Sequence, residues 1–285
     1  MEVFKKLNVT VSCLGNHDTD YGLSKMSELI AKTEGIWLMA NCFLNGKTIG
    51  ELPRSHVLTY CGHKIGLFGL CEPDWLGTLN PNTVTEELVF TDFLECAHEM
   101  TTLLKSQGCT YIIALTHMRL PNDRILAENC SEIDLILGGH DHSTVHEVVN
   151  GVTIVKSGSD FEEFSDLSID VSTREVRRER VLITEQFLPD PEVEKHVLYY
   201  TKELNSKLDK VCGHTETDIE GRFEKVRTQE TSMGNWIVDL LYTEYPVCDV
   251  VLLNCGTMRS NCIIRKGEVT FKQLAQMLPM PDKIV

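Results

Sequence analysis

The chain has 285 residues, 42% of them hydrophobic and 24% charged, with 9 prolines and 19 glycines, a composition that excludes disorder and leaves room for one large or two medium domains. A formal charge of -15, from 42 acidic against 27 basic residues, argues against a nucleic-acid polymer as partner, because most of such a surface repels a phosphate backbone. The 11 cysteines form no CxxC pair and no regular spacing, which excludes a disulfide framework and favours a reducing compartment.

The first element, MEVFKKL, has helical spacing, and NVTVSCL after it reads as a strand. The strand stops at GNHDTDYG (15–22), a short loop crowded with polar side chains. SHVLTYCGHKIGLFGL (55–70) reads as two strands around a turn at Gly62. A long amphipathic helix is expected over 90–108, with Phe93, Ala97, Met100 and Leu104 on one face and Gly108 as its stop. The strand TYIIALT, a helix opened by Pro121 and the strand IDLILGG then give strand, helix, strand, the signature of a parallel βαβ unit.

Beyond residue 143 come strands without helices: TVHEVVNGVTIVKSG, FSDLSIDVS and EVRRERVLITE. The basic cluster REVRRERV (174–181) is interleaved with Glu and Val and reads as the solvated face of a strand, not a phosphate track. A charged helix over about 190–210 is expected to link two bodies. The last part carries the helix ETSMGNWIVDLLYTEY, an expected strand CDVVLLNC and the helix TFKQLAQML. The fold class is α+β or α/β. The expected division is 1–187 for the first domain, 188–212 for a linker helix and 213–285 for the second.

Three polar loops follow apolar strands: GNHDTDYG, THMRLPND and GGHDHS. In an α/β sheet the carboxyl ends of parallel strands face one way, and ligands bind at that edge. Asn16, His17, His117, His140 and His142 therefore share an address. One histidine at a strand end is usually a hydrogen-bonded loop residue, and one asparagine usually a turn former. Together, imidazoles and a carboxamide oxygen form a donor set for a divalent ion such as Zn, Mn or Fe.

With these motifs in order, the chain resembles the 5'-nucleotidases, a branch of the calcineurin-like metallophosphoesterases. LGNHDTDYG resembles that family's GNHEFD motif, ALTHM its single-histidine motif and DLILGGHDHS its GHxH motif. Further on, ETSMGNWIVDLL resembles the ExxxGN helix, LLNCGTMR the NGGGIR loop and GEVTFKQLAQMLP the segment after it. The resemblance implies a four-layer α-β-β-α sandwich followed by a 5'-nucleotidase C-terminal α/β domain, with a small phosphoester such as a nucleotide as substrate. It implies two divalent metal ions that generate a hydroxide for in-line attack on phosphorus. Asn16, His117 and His140 match ligands of one metal and His142 a ligand of the other. His17 matches the histidine that stabilises the transition state or protonates the leaving oxygen, and Asp20 the carboxylate that orients it. Asn254, Arg259 and Asn235 match substrate-binding positions.

Two departures follow from the same comparison. The family's DxH and GD motifs, the second of which bridges both metals, are not in this chain, and Met280 and Pro281 depart from its LPFxN pattern. The expectation is therefore a sandwich lacking its N-terminal strands and a partial second domain. Such a chain is a fragment of a longer product or a degenerate relative, impaired in two-metal hydrolysis. The alternatives are a non-catalytic nucleotide- or metal-binding protein and a related cyclic-nucleotide phosphodiesterase. No run approaches about 18 apolar residues and MEVFKKLNV lacks the organisation of a signal peptide, so a soluble cytoplasmic protein is expected.

Overall fold

A computed structural model describes residues 2–77 and 88–279, so Met280 and Pro281 lie outside the described residues. The chain forms two compact units, Met1–Asp190 and Pro191–Val285.

The first unit begins with α1 (Glu2–Lys6), β1 (Val11–Cys13), α2 (Leu23–Ile30), β2 (Ile36–Leu38), β3 (Cys42–Leu44), β4 (Lys47–Thr48), β5 (Ser55–Tyr60) and β6 (His63–Cys71). It continues with β7 (Leu88–Phe90), α3 (Phe93–Ser106), β8 (Tyr111–His117), α4 (Leu120–Asn129), β9 (Leu135–Gly138), β10 (Thr144–Val149), β11 (Val152–Ser157), β12 (Glu163–Ile169) and β13 (Val176–Leu182). Helix α3 starts where Asp92 accepts hydrogen bonds from the backbone N–H groups of Leu94 and Glu95, and the chain leaves it at Gly108 with φ +83°. Its apolar face, with Ala97, Met100 and Leu104, is buried as the spacing predicts.

A six-stranded sheet in the order β10-β11-β9-β8-β6-β5 is the centre of this unit. Strands β11, β9, β8 and β6 are parallel, and the outer β10 and β5 run antiparallel to their neighbours. β8 is an apolar run from Tyr111 to Leu115 because both its faces are covered. Ile112 and Ala114 pack with Leu104 of α3 and Leu126 of α4, while Tyr111 and Ile113 face Leu38 of β2 and Leu167 and Ile169 of β12. Outside β2, Trp37 stacks on Phe4 of α1 and shares a cluster with Met26 of α2. Helices, sheet, a second strand layer and a thinner helical layer give the expected α-β-β-α order.

The basic run of β13 is spent internally: Arg178 and Arg180 both pair with Glu163, Arg177 pairs with Glu175, and Arg174 pairs with Asp134. All 11 cysteines are free thiols. Among the described residues no helix is long and apolar enough to cross a membrane.

The second unit contains α5 (Pro191–Leu208), β14 (Val211–Thr215), β15 (Ile219–Glu220), α6 (Phe223–Val226), α7 (Ser232–Glu244), β16 (Ile263–Ile264), β17 (Gly267–Thr270) and α8 (Phe271–Met277). Strand β14 pairs with β17 and β15 with β16, around a core that includes Met233, Ile237, Met258 and Met277. Thr270 and Gln273 form a reciprocal capping box at the start of α8. The strand expected over CDVVLLNC does not form. Val250 and Leu252 are 69% and 91% exposed and no described strand pairs with the segment, so an apolar run of strand-like composition stays irregular without a neighbouring ladder.

Candidate metal centre at the carboxyl edge of the sheet

The strand register brings distant residues to one edge. Cys71 of β6 pairs with His117 of β8, Thr116 of β8 with Gly138 of β9, and Gly138 with Lys156 of β11. Glu72, His117, His140 and Lys156 thus lie at or just beyond the carboxyl ends of four parallel strands, where an α/β sheet presents its ligand site.

The loop after β1 separates two kinds of side chain. The Asp18 carboxylate accepts the Gly15 N–H at 2.7 Å, and the Thr19 hydroxyl donates to the Asn16 carbonyl at 2.8 Å, folding residues 16–19 into a tight 3-10 turn. Burial pushes the Asp18 carboxyl above its ordinary value, against the pull of that N–H. Asn16 then points inward and is 2% exposed, while His17 points outward with Nδ1 2.9 Å from Asp20 Oδ2.

Asn16 meets the other two loops. Asn16 Oδ1 lies 2.9 Å from His117 Nε2, and His140 Nδ1 lies 3.2 Å from the same nitrogen. Asn16 Oδ1 and His140 Nδ1 thus both meet one ring nitrogen that carries at most one proton, a grouping of oxygen and imidazole nitrogens that suits a cation. The approach is close because glycines line it. A Cβ on Gly15 would meet His117 Cε1 at 3.0 Å and Nδ1 at 3.1 Å, and one on Gly139 would meet Nδ1 at 3.2 Å. His140 and His142 both adopt left-handed backbone, with φ +76° and +57°, a conformation uncommon for non-glycine residues and concentrated at functional turns.

Burial pushes His117 down to about 3, helped by the neighbouring charges of His140, His17, Lys156 and His142. Burial also lowers His140, with Glu72 pulling the other way. Both rings are neutral near pH 7, the state in which imidazole donates a lone pair to a metal.

Sequence reasoning singled out none of the three residues that support this centre. The Trp75 indole donates to the His117 carbonyl at 3.0 Å and sets its ring edgewise to the imidazole, with centroids 5.5 Å apart. Lys156, 2% exposed, donates to the carbonyls of Met118 at 2.7 Å and Gly139 at 2.8 Å and pairs with Asp123 and Asp141, tying the two histidine loops together. Glu72 is fully buried, with Oε2 accepting the Arg119 N–H at 2.9 Å and the Asn122 amide at 2.6 Å. The legible signal was the address, since Glu72 and Lys156 end apolar strands just as His117 does.

Of the other expected positions, one is on the first unit and three are on the second. His142 shares the turn of His140, two residues on. Asn235 is on α7 with its amide 2.8 Å from Glu230 Oε1; Asn254 caps a short turn by accepting the Gly256 N–H at 2.9 Å; Arg259 has a buried Nε without a hydrogen-bond partner. A further group of ligand-type atoms, from His98, Cys130 and Glu132, lies within 4.8 Å of one another on the first unit. Burial there raises the Cys130 thiol above its ordinary value, which disfavours the thiolate a metal needs.

Residues 1–144 match the profile of the calcineurin-like phosphoesterases, and residues 211–285 that of the 5'-nucleotidase C-terminal domain. The trifunctional nucleotide phosphoesterase protein YfkN of Bacillus subtilis is 30% identical over 257 residues, covering 83% of this chain and 17% of that protein. The human 5'-nucleotidase is 23% identical over 312 residues, covering 96% of this chain and 54% of the relative. The crystal structure of a 5'-nucleotidase precursor from Thermus thermophilus superposes with a TM-score of 0.82 at 23% identity, covering 96% of this chain and 59% of that one. The chain thus spans about half or less of the length of these curated relatives.

Proposed function

The chain belongs to the calcineurin-like phosphoesterases and carries a 5'-nucleotidase C-terminal domain, and we propose that it hydrolyses a nucleoside 5'-monophosphate to nucleoside and phosphate. The observation that carries the reading is the convergence of Asn16 Oδ1, His117 Nε2 and His140 Nδ1, with separations of 2.9 and 3.2 Å about the central nitrogen. The family implies divalent metal ions, and this donor set fits one: two neutral imidazoles and a carboxamide oxygen suit Zn, Mn or Fe. When bound, such a cation polarises a phosphoryl oxygen and activates water.

The chain's own residues do the rest. His17 faces outward with Nδ1 held by Asp20, leaving Nε2 as the nitrogen that meets the substrate, where it stabilises the transition state or protonates the leaving oxygen. His142 is assigned to a second cation. In the second unit Arg259, Asn254 and Asn235 are assigned to the nucleotide; the buried Arg259 Nε, a donor with no hydrogen-bond partner, supports a role in binding an anionic or planar group. The domain division proposed is 1–187 for the phosphoesterase part, 188–212 for the linking helix and 213–285 for the substrate part. Among the described residues three donors are assigned to one position and His142 to the other, and two-metal hydrolysis by these 285 residues is proposed to be impaired.

The test is metal content and AMP hydrolysis of the chain before and after chelation, beside His117→Ala. Metal uptake and turnover that both depend on His117 support the reading. Equal metal content and equal rate in His117→Ala overturn it.

A further inference from the structure

Glu72 is a fully buried carboxylate only half accounted for. Its Oε2 is satisfied by the Arg119 N–H and the Asn122 amide, at 2.9 and 2.6 Å. Its Oε1 is buried with no hydrogen-bond partner, 3.6 Å from His140 Nε2 and 3.5 Å from Arg119 Nε. The Arg119 guanidinium is shared, with Nη1 2.5 Å from the exposed Asp74 Oδ2 while Nε faces Oε1 from the solvent side, so the ring nitrogen is the neighbour on the metal side. A buried carboxylate oxygen facing a ring nitrogen calls for an explanation that packing does not supply.

We infer that Glu72 is a positioning residue that holds the Nε2 proton of His140 and thereby fixes the lone pair of Nδ1 on the point shared by Asn16 and His117. This rests on the reading of Asn16, His117 and His140 as one metal position. A neutral imidazole has one donor and one acceptor nitrogen, and which is which depends on the hydrogen bond the other makes. His140 Nδ1 is the nitrogen that faces His117 Nε2, at 3.2 Å. With the Nδ1 lone pair directed at the shared metal position, the proton belongs on Nε2, and Glu72 Oε1 is the carboxylate oxygen that faces it. The 3.6 Å separation is longer than a hydrogen bond, as such contacts often are before a site is loaded, and it closes to one when the site is occupied. The two donors on Oε2 fix the carboxylate in place, so its hold on His140 is directional. Carboxylates behind metal-bound histidines act in this way and raise the basicity of the ligand nitrogen.

The test is Glu72→Gln in the 285-residue chain, which keeps shape and volume. The glutamine oxygen takes over the Arg119 and Asn122 donors and its NH2 turns to Nε2, forcing that nitrogen to accept and moving the proton to Nδ1. Long-range proton–nitrogen spectra of the chelator-treated, histidine-labelled protein report the tautomer, with His140 identified by its loss in His140→Asn. The expected result is Nε2–H in the parent and Nδ1–H in Glu72→Gln. Calorimetric titration with Mn2+ is then expected to show binding weaker by about 10- to 100-fold. A parent His140 carrying its proton on Nδ1 overturns the inference without any variant, and so does an unchanged tautomer in a folded Glu72→Gln. If the tautomer shifts as expected but the parent takes up no Mn2+, the orientation of the ring by Glu72 stands and the metal reading of the preceding section falls.

Discussion

Lys156→Met removes the cation that ties the two histidine loops while keeping most of its aliphatic length. Asp123, fully buried, loses the Nζ that lies 2.7 Å from its Oδ2 and retains the Thr116 hydroxyl at 2.6 Å on Oδ1. Asp141 loses the same cation but is 21% exposed and keeps the Leu120 N–H at 2.7 Å, so the cost falls mainly on Asp123. Breaking a buried ion pair from one side costs about 3–5 kcal/mol. Protonation limits that cost. Burial already pushes Asp123 up to about 6 with Lys156 beside it, and without the cation its folded value rises further. A folded value above the ordinary 3.8 means that the folded state holds more protons between the two, so the variant weakens as pH rises through that window and recovers as pH falls. Urea unfolding in a Trp236→Phe background, with Trp37 and Trp75 reporting on the first unit, is expected to show a loss of about 3–5 kcal/mol at pH 8. The deficit should shrink by up to about 1.4 kcal/mol per pH unit on acidification. Adding Asp123→Asn should restore most of the stability, since the carboxamide keeps the Thr116 bond without a buried charge. A loss under about 1 kcal/mol at pH 8, or a deficit that does not shrink at pH 5.5, refutes the reasoning.

Gly15→Ala tests the close approach to His117: the backbone φ of -110° suits alanine, but its Cβ would sit 3.0 Å from the ring, so circular dichroism should be unchanged while Mn2+ affinity measured by calorimetry falls about tenfold or more. His17→Ala should lower kcat for AMP by about 10²- to 10⁴-fold while metal content measured by mass spectrometry is retained, and Asp20→Asn should give a smaller fall of the same kind. A parallel loss of metal from His17→Ala would move that residue into the ligand set. Alkylation mapping at pH 8 should label the exposed Cys61, Cys212, Cys248 and Cys262 within minutes and leave Cys13 and Cys71 unmodified in the native chain. Burial pushes Cys13 up to about 12 and Cys71 well above its ordinary value, so neither forms a thiolate there.

What could be read in the amino-acid sequence was whatever a segment carries within itself. The apolar period of α3, its Asp92 cap and its Gly108 exit are all local, and so is the unbroken apolar run of β8 that announces a strand covered on both faces. CDVVLLNC has the same local character and no ladder, because a strand also needs a neighbour, which composition does not report. The centre divides in the same way. Asn16 and His117 are 101 residues apart, yet both were legible as polar residues ending apolar strands. Lys156 and Glu72 end strands too, but a charge at the end of VTIVK or GLFGLCE reads as the point where burial stops. Only the parallel register, which sets Cys71 opposite His117 and Gly138 opposite Lys156, turns those charges inward among the histidine loops. A metal position assembled from strand ends depends on that register. A slip by one residue in β8 would send His117 to the opposite face of the sheet and replace it with Thr116 or Met118. The buried pairs of Lys156 with Asp123 and Asp141 tie the loop after β8 to the loop after β9 and hold it against such a slip. Their cost in desolvation is offset by a geometry that the apolar strands alone would leave degenerate.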